Sequence, residues 1–359
     1  MSSHFYNDQI PQGWEAAIIG VCIETITPPS KINTIEYSKS GKFPIIDQSQ
    51  DFICGWTDDE KKVIKISEPV IIFGDHTCVT KFVNFDFAQG ADGIKILKSK
   101  KFLNPKFLYQ LLQFDPIVPE MYKRHFSKLK GKKILYPKDK AEQKMISQVL
   151  GDMDELISVK CELLDKKRAI KQAAAQQLLT PKPHWHTATL GEILQYEQPT
   201  NYIIQDIKIL EKGSVPVLTA GKSFILGYTE EEFNCYENFP VIIFDDFTTD
   251  SKFVNFRFKV KSSAMKMLKP KNDKISIKFA FMLLQNINFF VGDHKRHWIS
   301  EFSKFEISFP DITEQTKIAQ ILSDMDDEIL ALQDEIEKLK MIKQGAMDEL
   351  LSGKIRLKG

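Results

Sequence analysis

The sequence predicts an α/β (α+β) protein in which two similar mixed α/β globular domains are separated by a long antiparallel two-helix coiled coil, as a pseudo-twofold tandem repeat. The first observation is a helical segment that occurs twice, at residues 142–179 and 314–351, with an offset of 314 − 142 = 172. The second is a globular segment, residues 70–87, which is identical to residues 241–258 at 12 of 18 positions. Because the repeat includes both kinds of segment, it predicts the order globule, helix, globule, helix.

The third observation is the apolar spacing of the helical segments, which is typical of a coiled coil. The seam of the second copy contains Ile318, Leu322, Met325, Ile329, Leu332, Ile336, Leu339 and Leu350. The first copy has lysines at 160 and 167 where the second has Leu332 and Leu339, so we expect its buried stripe to be rotated by about one position. That rotated row consists of Val149, Leu156, Leu163 and Ile170. We interpret the copies as two different helices that pair within one molecule, and a homodimeric zipper is the alternative.

The domain boundaries follow from prolines, which end or precede helices. Pro137 and Pro310 come shortly before the two helical segments, and Pro181 follows the first one. The predicted divisions are a first globular domain at 1–137, a central helix at 138–180, a second globular domain at 181–310 and a C-terminal helix at 311–359. No regular alternation of strands and helices is visible inside a globule, so we expect a mainly antiparallel or mixed sheet.

Composition excludes several classes of protein. With 359 residues, 43% hydrophobic and 27% charged, the chain has the composition of an ordinary globular protein of two or three domains. The net charge of +1 argues against a globally basic coat protein, so any basic patch must be local. Five cysteines without a CxxC pair argue against a disulfide framework or a zinc site. With no signal peptide and no long apolar run, we expect a cytoplasmic protein.

A local basic patch is predicted in the first globule, because residues 121–138 contain no carboxylate. The candidates for contact with nucleic-acid phosphates are Lys123, Arg124, His125, Lys128, Lys130, Lys132 and Lys133. If six cations each neutralised a phosphate, the slope of log affinity against log salt would be about −5. Lys295, Arg296 and His297 repeat the pattern in the second globule. The alternative is a solvated, lysine-rich loop.

Sequence readout requires polar side chains that reach base edges. The candidates are Gln48 and Ser49 in the first globule, and Thr219, Gly221 and Lys222 at the equivalent place in the second. Lys81 and Lys252, which are aligned by the repeat, complete the set of candidate DNA-binding residues. For any single position, ordinary divergence between two loops is the alternative interpretation.

The motifs of an enzyme are missing from the sequence. No glycine-rich nucleotide motif follows a strand, and Pro216 stands where the first glycine of a phosphate-binding loop would precede Gly221-Lys222-Ser223. Asp245 and Asp246 follow an apolar strand and are interpreted as its end rather than as a metal site. We therefore expect no catalytic residue, no metal and no cofactor in this chain.

The arrangement resembles the DNA-specificity (S) subunits of type I restriction-modification systems. The resemblance is carried by a Trp near the start of each globule, Trp14 and Trp185, and by the E-Q-x-x-I and D-M-D motifs of the helices at 142–154 and 314–326. It covers nearly the whole chain. It implies two target-recognition domains that each bind one half of a split site on double-stranded DNA, with the helix pair setting the spacing.

The same resemblance implies partners. Two methyltransferase (M) subunits would dock on the chain, and restriction (R) subunits can join. S-adenosylmethionine, ATP and magnesium would belong to those partners, and the chain itself would be non-catalytic. The alternative from another class is a non-catalytic coiled-coil protein whose duplicated globules bind protein or RNA.

Overall fold

The computed structural model describes residues 10–91, 93–120, 123–205, 208–219, 224–287 and 296–357. The chain forms two compact units, residues 1–162 with 334–359 (unit 1) and residues 163–333 (unit 2). Each unit therefore contains one globular domain together with part of each long helix.

Unit 1 begins with a short strand and contains short strands throughout its globule. Its strands are β1 (Trp14–Ile18), β2 (Ile23–Ile26), β3 (Phe43–Ile46), β4 (Gly55–Thr57), β5 (Val63–Ile64), β6 (Val70–Gly74), β7 (Thr80–Val83), β8 (Phe87–Gln89), β9 (Ile94–Ser99) and β10 (Lys133–Pro137). Its helices are α1 (Ile19–Cys22), α2 (Pro105–Phe114), α3 (Phe126–Gly131) and the first part of α4 (Lys140–Leu178).

The strands of unit 1 form three small sheets. One is antiparallel with the order β2-β9-β6-β7, a second has the order β4-β3-β8-β5 with β3 and β8 parallel, and β1 pairs with β10. A mixed sheet was predicted, and it is confirmed. The buried core contains the first strand, α2 and both long helices, since Trp14, Phe107, Ile146 and Leu350 all belong to one apolar cluster.

Unit 2 repeats this arrangement of sheets, except that its second sheet has three described strands where that of unit 1 has four. Its strands are β11 (His186–Thr189), β12 (Leu194–Glu197), β13 (Val215–Leu218), β14 (Ile225–Thr229), β15 (Val241–Asp245), β16 (Ser251–Val254), β17 (Lys259–Val260), β18 (Met265–Pro270) and β19 (Glu306–Phe309). Its helices are α5 (Leu190–Ile193), α6 (Ile277–Gln285), α7 (His297–Ser300) and the first part of α8 (Ile312–Leu350). The sheets have the orders β12-β18-β15-β16, β14-β13-β17 and β11-β19. The duplication seen in the sequence is thus a duplication of fold.

The repeated Glu-Gln pair fixes each long helix to its globule. Gln143 is fully buried, and its side chain accepts from Asn104 N and donates to Phe102 O and Pro137 O. Gln315 makes the same set of bonds in unit 2, with Ser276 N, Lys274 O and Pro310 O. Because an unsatisfied buried amide is costly, this residue type sets the position where each helix starts.

The two long helices pair in an antiparallel sense within each unit. In unit 1, Lys160 pairs with Glu335 at 2.9 Å and Asp154 with Lys343; in unit 2, Lys167 pairs with Glu328 at 2.5 Å and Lys171 with Asp326. Partner numbers fall on α8 as they rise on α4, as antiparallel pairing requires. The predicted pairing of the two helices within one molecule is confirmed.

The seam of α8 is also confirmed, because Ile318, Leu322, Leu332, Ile336 and Leu350 are all buried. The predicted rotation of the buried stripe on α4 is wrong. The residues of the rotated row, Val149, Leu156, Leu163 and Ile170, are 37% to 60% exposed. The buried stripe of α4 is instead the one equivalent to the α8 seam, which includes Lys160 and Lys167. These lysines fit there because their apolar stems can lie along the partner helix while the ammonium groups reach acids at its edge.

Candidate nucleic-acid interface

The repeated Lys-Arg-His-aromatic motif is built on a buried aspartate that follows the central strand. In unit 1, Asp75 is 4% exposed and its carboxylate accepts from His125 N at 2.9 Å and Phe126 N at 2.8 Å. The His125 ring also bonds to Asp75 O and to Glu120 N. The carboxylate therefore satisfies the free amides at the start of α3 and fixes the preceding basic residues in place.

Unit 2 uses the same construction. Asp246 is 1% exposed, its carboxylate accepts from Trp298 N at 2.9 Å, and its carbonyl accepts from His297 N at 2.8 Å. His125 and His297 are buried at 2% and 3% exposure, so the side chains of these two candidates are enclosed by their own domains. Arg296 is exposed, and Lys295 lies outside the described residues.

Nearby acids neutralise part of the basic patch in unit 1. Glu120 pairs with Lys128 at 3.0 Å and with Lys123 at 3.2 Å, and these bonds lower the pKa of Glu120, with the larger effect from Lys128. Lys132 pairs with Asp115 at 2.9 Å. Three cations of the run, Lys123, Lys128 and Lys132, are therefore paired with acids that lie before residue 121.

Three exposed cations of the patch form no ion pair among the described residues: Arg124, Lys130 and Lys133. Arg124 lines a cleft of about 440 Å³ together with Lys95, His76 and Phe126. The ring of Phe126 lies between two cations, with Lys130 Nζ at 5.2 Å and Lys95 Nζ at 5.6 Å from its centroid. This cleft has the charge and the openness that a phosphate group requires.

At the position in unit 2 that corresponds to this cleft, the lysine is buried and covered by a tyrosine. Lys266, the counterpart of Lys95, is 1% exposed and pairs with Asp246 at 3.3 Å. Tyr196 covers it, with the ammonium 5.1 Å from the ring centroid, whereas the same position of the sheet in unit 1 is Thr25. Sequence reasoning missed Lys95, although its alignment with Lys266 in the repeat was a usable signal.

The candidate base-contacting residues of unit 1 already make hydrogen bonds within the domain, Gln48 with the turn after β6 and Ser49 within its own loop. Gln48 Oε1 accepts from His76 N at 3.3 Å, and Gln48 O accepts from the Thr77 hydroxyl at 2.7 Å. Gly93 has φ +103°, a conformation that favours glycine, and a Cβ there would lie 2.5 Å from Gln48 Nε2 and force that side chain to move. Ser49 N donates to the Asp47 carboxylate and its hydroxyl lies 3.0 Å from Cys54 Sγ.

The remaining candidates differ in their exposure to solvent. Thr219 N donates to Phe224 O at 3.2 Å, while Gly221 and Lys222 lie outside the described residues. Lys81 is 4% exposed and donates to backbone carbonyls, so it does not face solvent. Lys252, its counterpart in the repeat, has a side chain 47% exposed and pairs with Asp250 at 3.6 Å. Alternation along β7 could have revealed the burial of Lys81, since it shares a strand face with buried Val83.

Neither a membrane-spanning helix nor a cluster of metal ligands occurs among the described residues. No helix among them has both the length and the apolar character needed to cross a membrane. Within the same ranges, no group of three or more His, Cys, Asp or Glu side chains is placed to hold a metal ion. Asp245 accepts from Phe247 N and Thr248 N, so it forms the turn after β15.

Comparison with known proteins gives a family for the second half of the chain. Residues 183–341 match the model of the type I restriction modification DNA specificity domain. A specificity subunit of a type I restriction enzyme from Escherichia coli is 44% identical over 177 residues, which are 46% of this chain and 44% of that protein. The match thus spans less than half of the length of this curated relative.

One solved structure extends the likeness to the whole fold. The S subunit of a type I restriction-modification system from M. genitalium has a TM-score of 0.72 at 17% identity, over 98% of this chain and 99% of that chain. The HsdS subunit from Thermoanaerobacter tengcongensis matches 98% of this chain and 100% of that chain at 15% identity, with a TM-score of only 0.40. The domain match, the duplicated fold and the fold likeness agree. The second half of the chain, residues 183–341, therefore matches the DNA specificity domain of type I restriction-modification systems, and the whole chain shares its fold with a solved S subunit.

Proposed function

We propose that this chain is the sequence-specific DNA-binding subunit of a type I restriction-modification complex and carries no catalysis of its own. The observation that carries the proposal is a duplication: residues 183–341 match a DNA specificity domain, and the first half of the chain has a similar arrangement of sheets. Both halves also have the Lys-Arg-His-aromatic motif, at the start of α3 and of α7. Two similar domains that differ in their surface loops suit the reading of two different half-sites. The target would be a bipartite, asymmetric sequence on double-stranded DNA.

In unit 1, phosphate contacts are assigned to Arg124, Lys130 and Lys133, with Lys95 inside the cleft. These side chains hold the domain on the duplex without reading sequence. With three cations of the patch available, the slope of log affinity against log salt contributed by that patch would be about −3. Arg296 and Lys252 are assigned the same role in unit 2.

The methyltransferase partners are assigned to the outer face of α4. Support comes from Val149, Leu156 and Val159, whose exposed fractions in unit 1 are 37%, 44% and 55%. Residues spaced by three, four and seven positions lie on one face of a helix, so these apolar groups form a row. Leu163 and Ile170 continue the same spacing in unit 2 with 40% and 60% exposure. A helix with this kind of row is a typical docking element for a second protein.

The helix pair is assigned the spacing between the half-sites. Each long helix has 39 residues, which corresponds to roughly 58 Å at 1.5 Å per residue. Inserting one heptad into both helices, at facing positions, would add about 10 Å while preserving the seam. At about 3.4 Å per base pair this is roughly three base pairs.

The experiment is to map methylated bases in a host that expresses the chain with its methyltransferase partners. We expect a split motif, and we expect the heptad insertion to lengthen the gap while both half-site sequences stay the same. An unchanged gap would refute the spacing role. If the chain instead binds RNA or protein, gel-shift competition will show that duplex DNA displaces a bound probe no better than single-stranded nucleic acid does.

A further inference from the structure

Each unit contains a buried lysine that holds a surface loop with an exposed phenylalanine. The lysines are Lys81 on β7 and Lys259 on β17, with 4% and 0% exposure. The two strands are not equivalent in the repeat. The residue of unit 2 that aligns with Lys81 is the exposed Lys252, whereas Lys259 comes directly after the repeated segment 241–258. The two units thus arrive at a similar construction from different positions.

In unit 1, Lys81 ties together the two sides of loop 47–54, which joins β3 to β4. Its Nζ donates to Asp47 O at 2.8 Å and to Asp51 O at 2.5 Å. These acceptors are four residues apart, so one ammonium group fixes the path of the loop between them. A carbonyl pair of this kind replaces part of the water that a buried ammonium loses.

The start of the same loop is held from a second direction. The Asp47 carboxylate accepts from Ser49 N at 2.8 Å, from Cys54 Sγ at 2.8 Å and from the Tyr37 hydroxyl at 3.2 Å. Burial acts to raise the pKa of Asp47, but these hydrogen bonds outweigh it and the pKa is lowered. The carboxylate is therefore charged at neutral pH and remains the centre of the loop.

The outer part of the loop is left facing solvent. Gln50 is exposed, and Phe52 and Ile53 are 44% and 36% exposed. Phe52 makes an edge contact with Phe85, with the ring centroids 6.0 Å apart, so its ring has a defined position. Two apolar side chains and one amide are thus presented from a rigid support.

In unit 2, Lys259 holds loop 230–235 in a comparable way. Its Nζ donates to Phe233 O at 3.0 Å and pairs with Glu231 at 2.6 Å. The ammonium also lies 4.3 Å from the centroid of the Phe233 ring, which is 50% exposed. Glu231 is itself fixed, because its carboxylate accepts from Gln205 N at 3.0 Å.

A buried ammonium is an expensive way to fill space, since an apolar side chain of similar volume often stabilises a protein as well or better. The bonds made by these lysines instead hold each loop in a single conformation. We propose that Lys81 and Lys259 are positioning residues for two DNA-reading loops, 47–54 and 230–235, and that Phe52, Ile53 and Phe233 contact base edges. Apolar and aromatic side chains recognise the methyl group of thymine in the major groove, so thymine is the expected partner. This inference rests on the proposed DNA-reading function.

The test uses the full chain with its methyltransferase partners, and each lysine serves as the control for the other. Lys81→Met keeps most of the side-chain volume and removes the bonds to the loop, and Lys259→Met does the same in unit 2. We expect each variant to relax base preference by about tenfold in one half-site only, and the two variants to affect opposite halves. A merely structural role would lower the melting temperature and reduce methylation at all sites, with the base preferences of both halves unchanged.

The exposed side chains give a second test that does not depend on the buried lysines folding well after substitution. Phe52→Ala and Phe233→Ala should relax the same halves as Lys81→Met and Lys259→Met, respectively. Ile10→Ala is the control, because Ile10 is 51% exposed on another segment of unit 1 and should leave both preferences unchanged. A wild-type motif that persists in Phe52→Ala and Lys81→Met overturns this inference alone. A wild-type chain that directs no bipartite methylation overturns the proposed function and this inference with it.

Discussion

Replacing Arg356 with methionine tests how the segment after α8 is fixed to the first globule. Arg356 Nε donates to Glu142 Oε1 at 2.6 Å, and its NH2 group donates to Glu142 Oε2 at 2.7 Å. It also donates to Gln12 O and lies 5.7 Å from the centroid of the Trp14 ring. In unit 2 the corresponding role is taken by Lys182, from the segment that joins α4 to β11. Its ammonium group lies over the Trp185 ring and pairs with Glu314 at 2.5 Å.

The size of the effect follows from burial. The side chain of Glu142 is 3% exposed, so removing its partner leaves a buried carboxylate with little access to water. Breaking a buried pair in this way costs about 3 to 5 kcal/mol, and the 24% exposure of Arg356 places the expected loss at the lower end, about 3 kcal/mol. The bidentate bond also raises the pKa of Arg356, with the hydrogen bond to Glu142 as the main cause.

The measurement is urea unfolding of the full chain, followed by tryptophan fluorescence. Lys354→Met is the matched control, because Lys354 pairs with Glu349 at 3.2 Å through side chains that are 64% and 42% exposed. An exposed pair of this kind contributes less than about 1 kcal/mol. If Arg356→Met destabilises the chain no more than Lys354→Met does, the buried pair does not hold this segment. In a double-mutant cycle, Glu142→Gln should remove most of the effect of Arg356→Met.

Three further predictions concern the helix seam, the basic patch and pH. Leu332→Ala should lower the free energy of unfolding in urea by about 2 to 4 kcal/mol, whereas Leu330→Ala should change it by no more than about 0.5 kcal/mol. The reason is burial, since Leu332 is 7% exposed and Leu330 is 58% exposed. Equal losses in the two variants would contradict the burial of the seam. Arg124→Gln should weaken binding to all duplex sequences alike and reduce the magnitude of the salt slope by about 1 in a fluorescence titration, and a loss confined to one sequence would contradict a phosphate contact. Hydrogen bonds from Lys182 and then His184 lower the pKa of Glu314, so the stability that it contributes is present above its unfolded pKa and is lost as the pH falls through the lowered folded value. Glu314→Gln should therefore flatten the acid side of the stability profile measured by urea unfolding, and an unchanged profile would contradict this assignment.

The sequence alone contained most of the architecture. Offsets of 171 residues between the globular segments at 70 and 241 and of 172 between the helices at 142 and 314 predicted two similar globules and two long helices, because residues that build the same element recur at nearly the same interval. The buried seam of α8 was also readable, since Ile318, Leu322 and Leu332 follow a helical period that has one physical explanation. The motifs of the helices were sufficient to indicate the family whose model matches residues 183–341.

Other features were decided only by tertiary structure. Periodicity could not show which of two apolar rows on α4 is buried, because Lys160 and Lys167 fit the seam only when acids on α8 receive their ammonium groups. A run of cations could not show that Glu120 and Asp115 fold back to neutralise it, since the acids lie outside the run. Charge pairing and side-chain burial depend on residues brought together from distant parts of the chain. The repeat and the family resemblance were therefore visible in the sequence, whereas the burial and the pairing of the candidate DNA-binding side chains were determined by the fold.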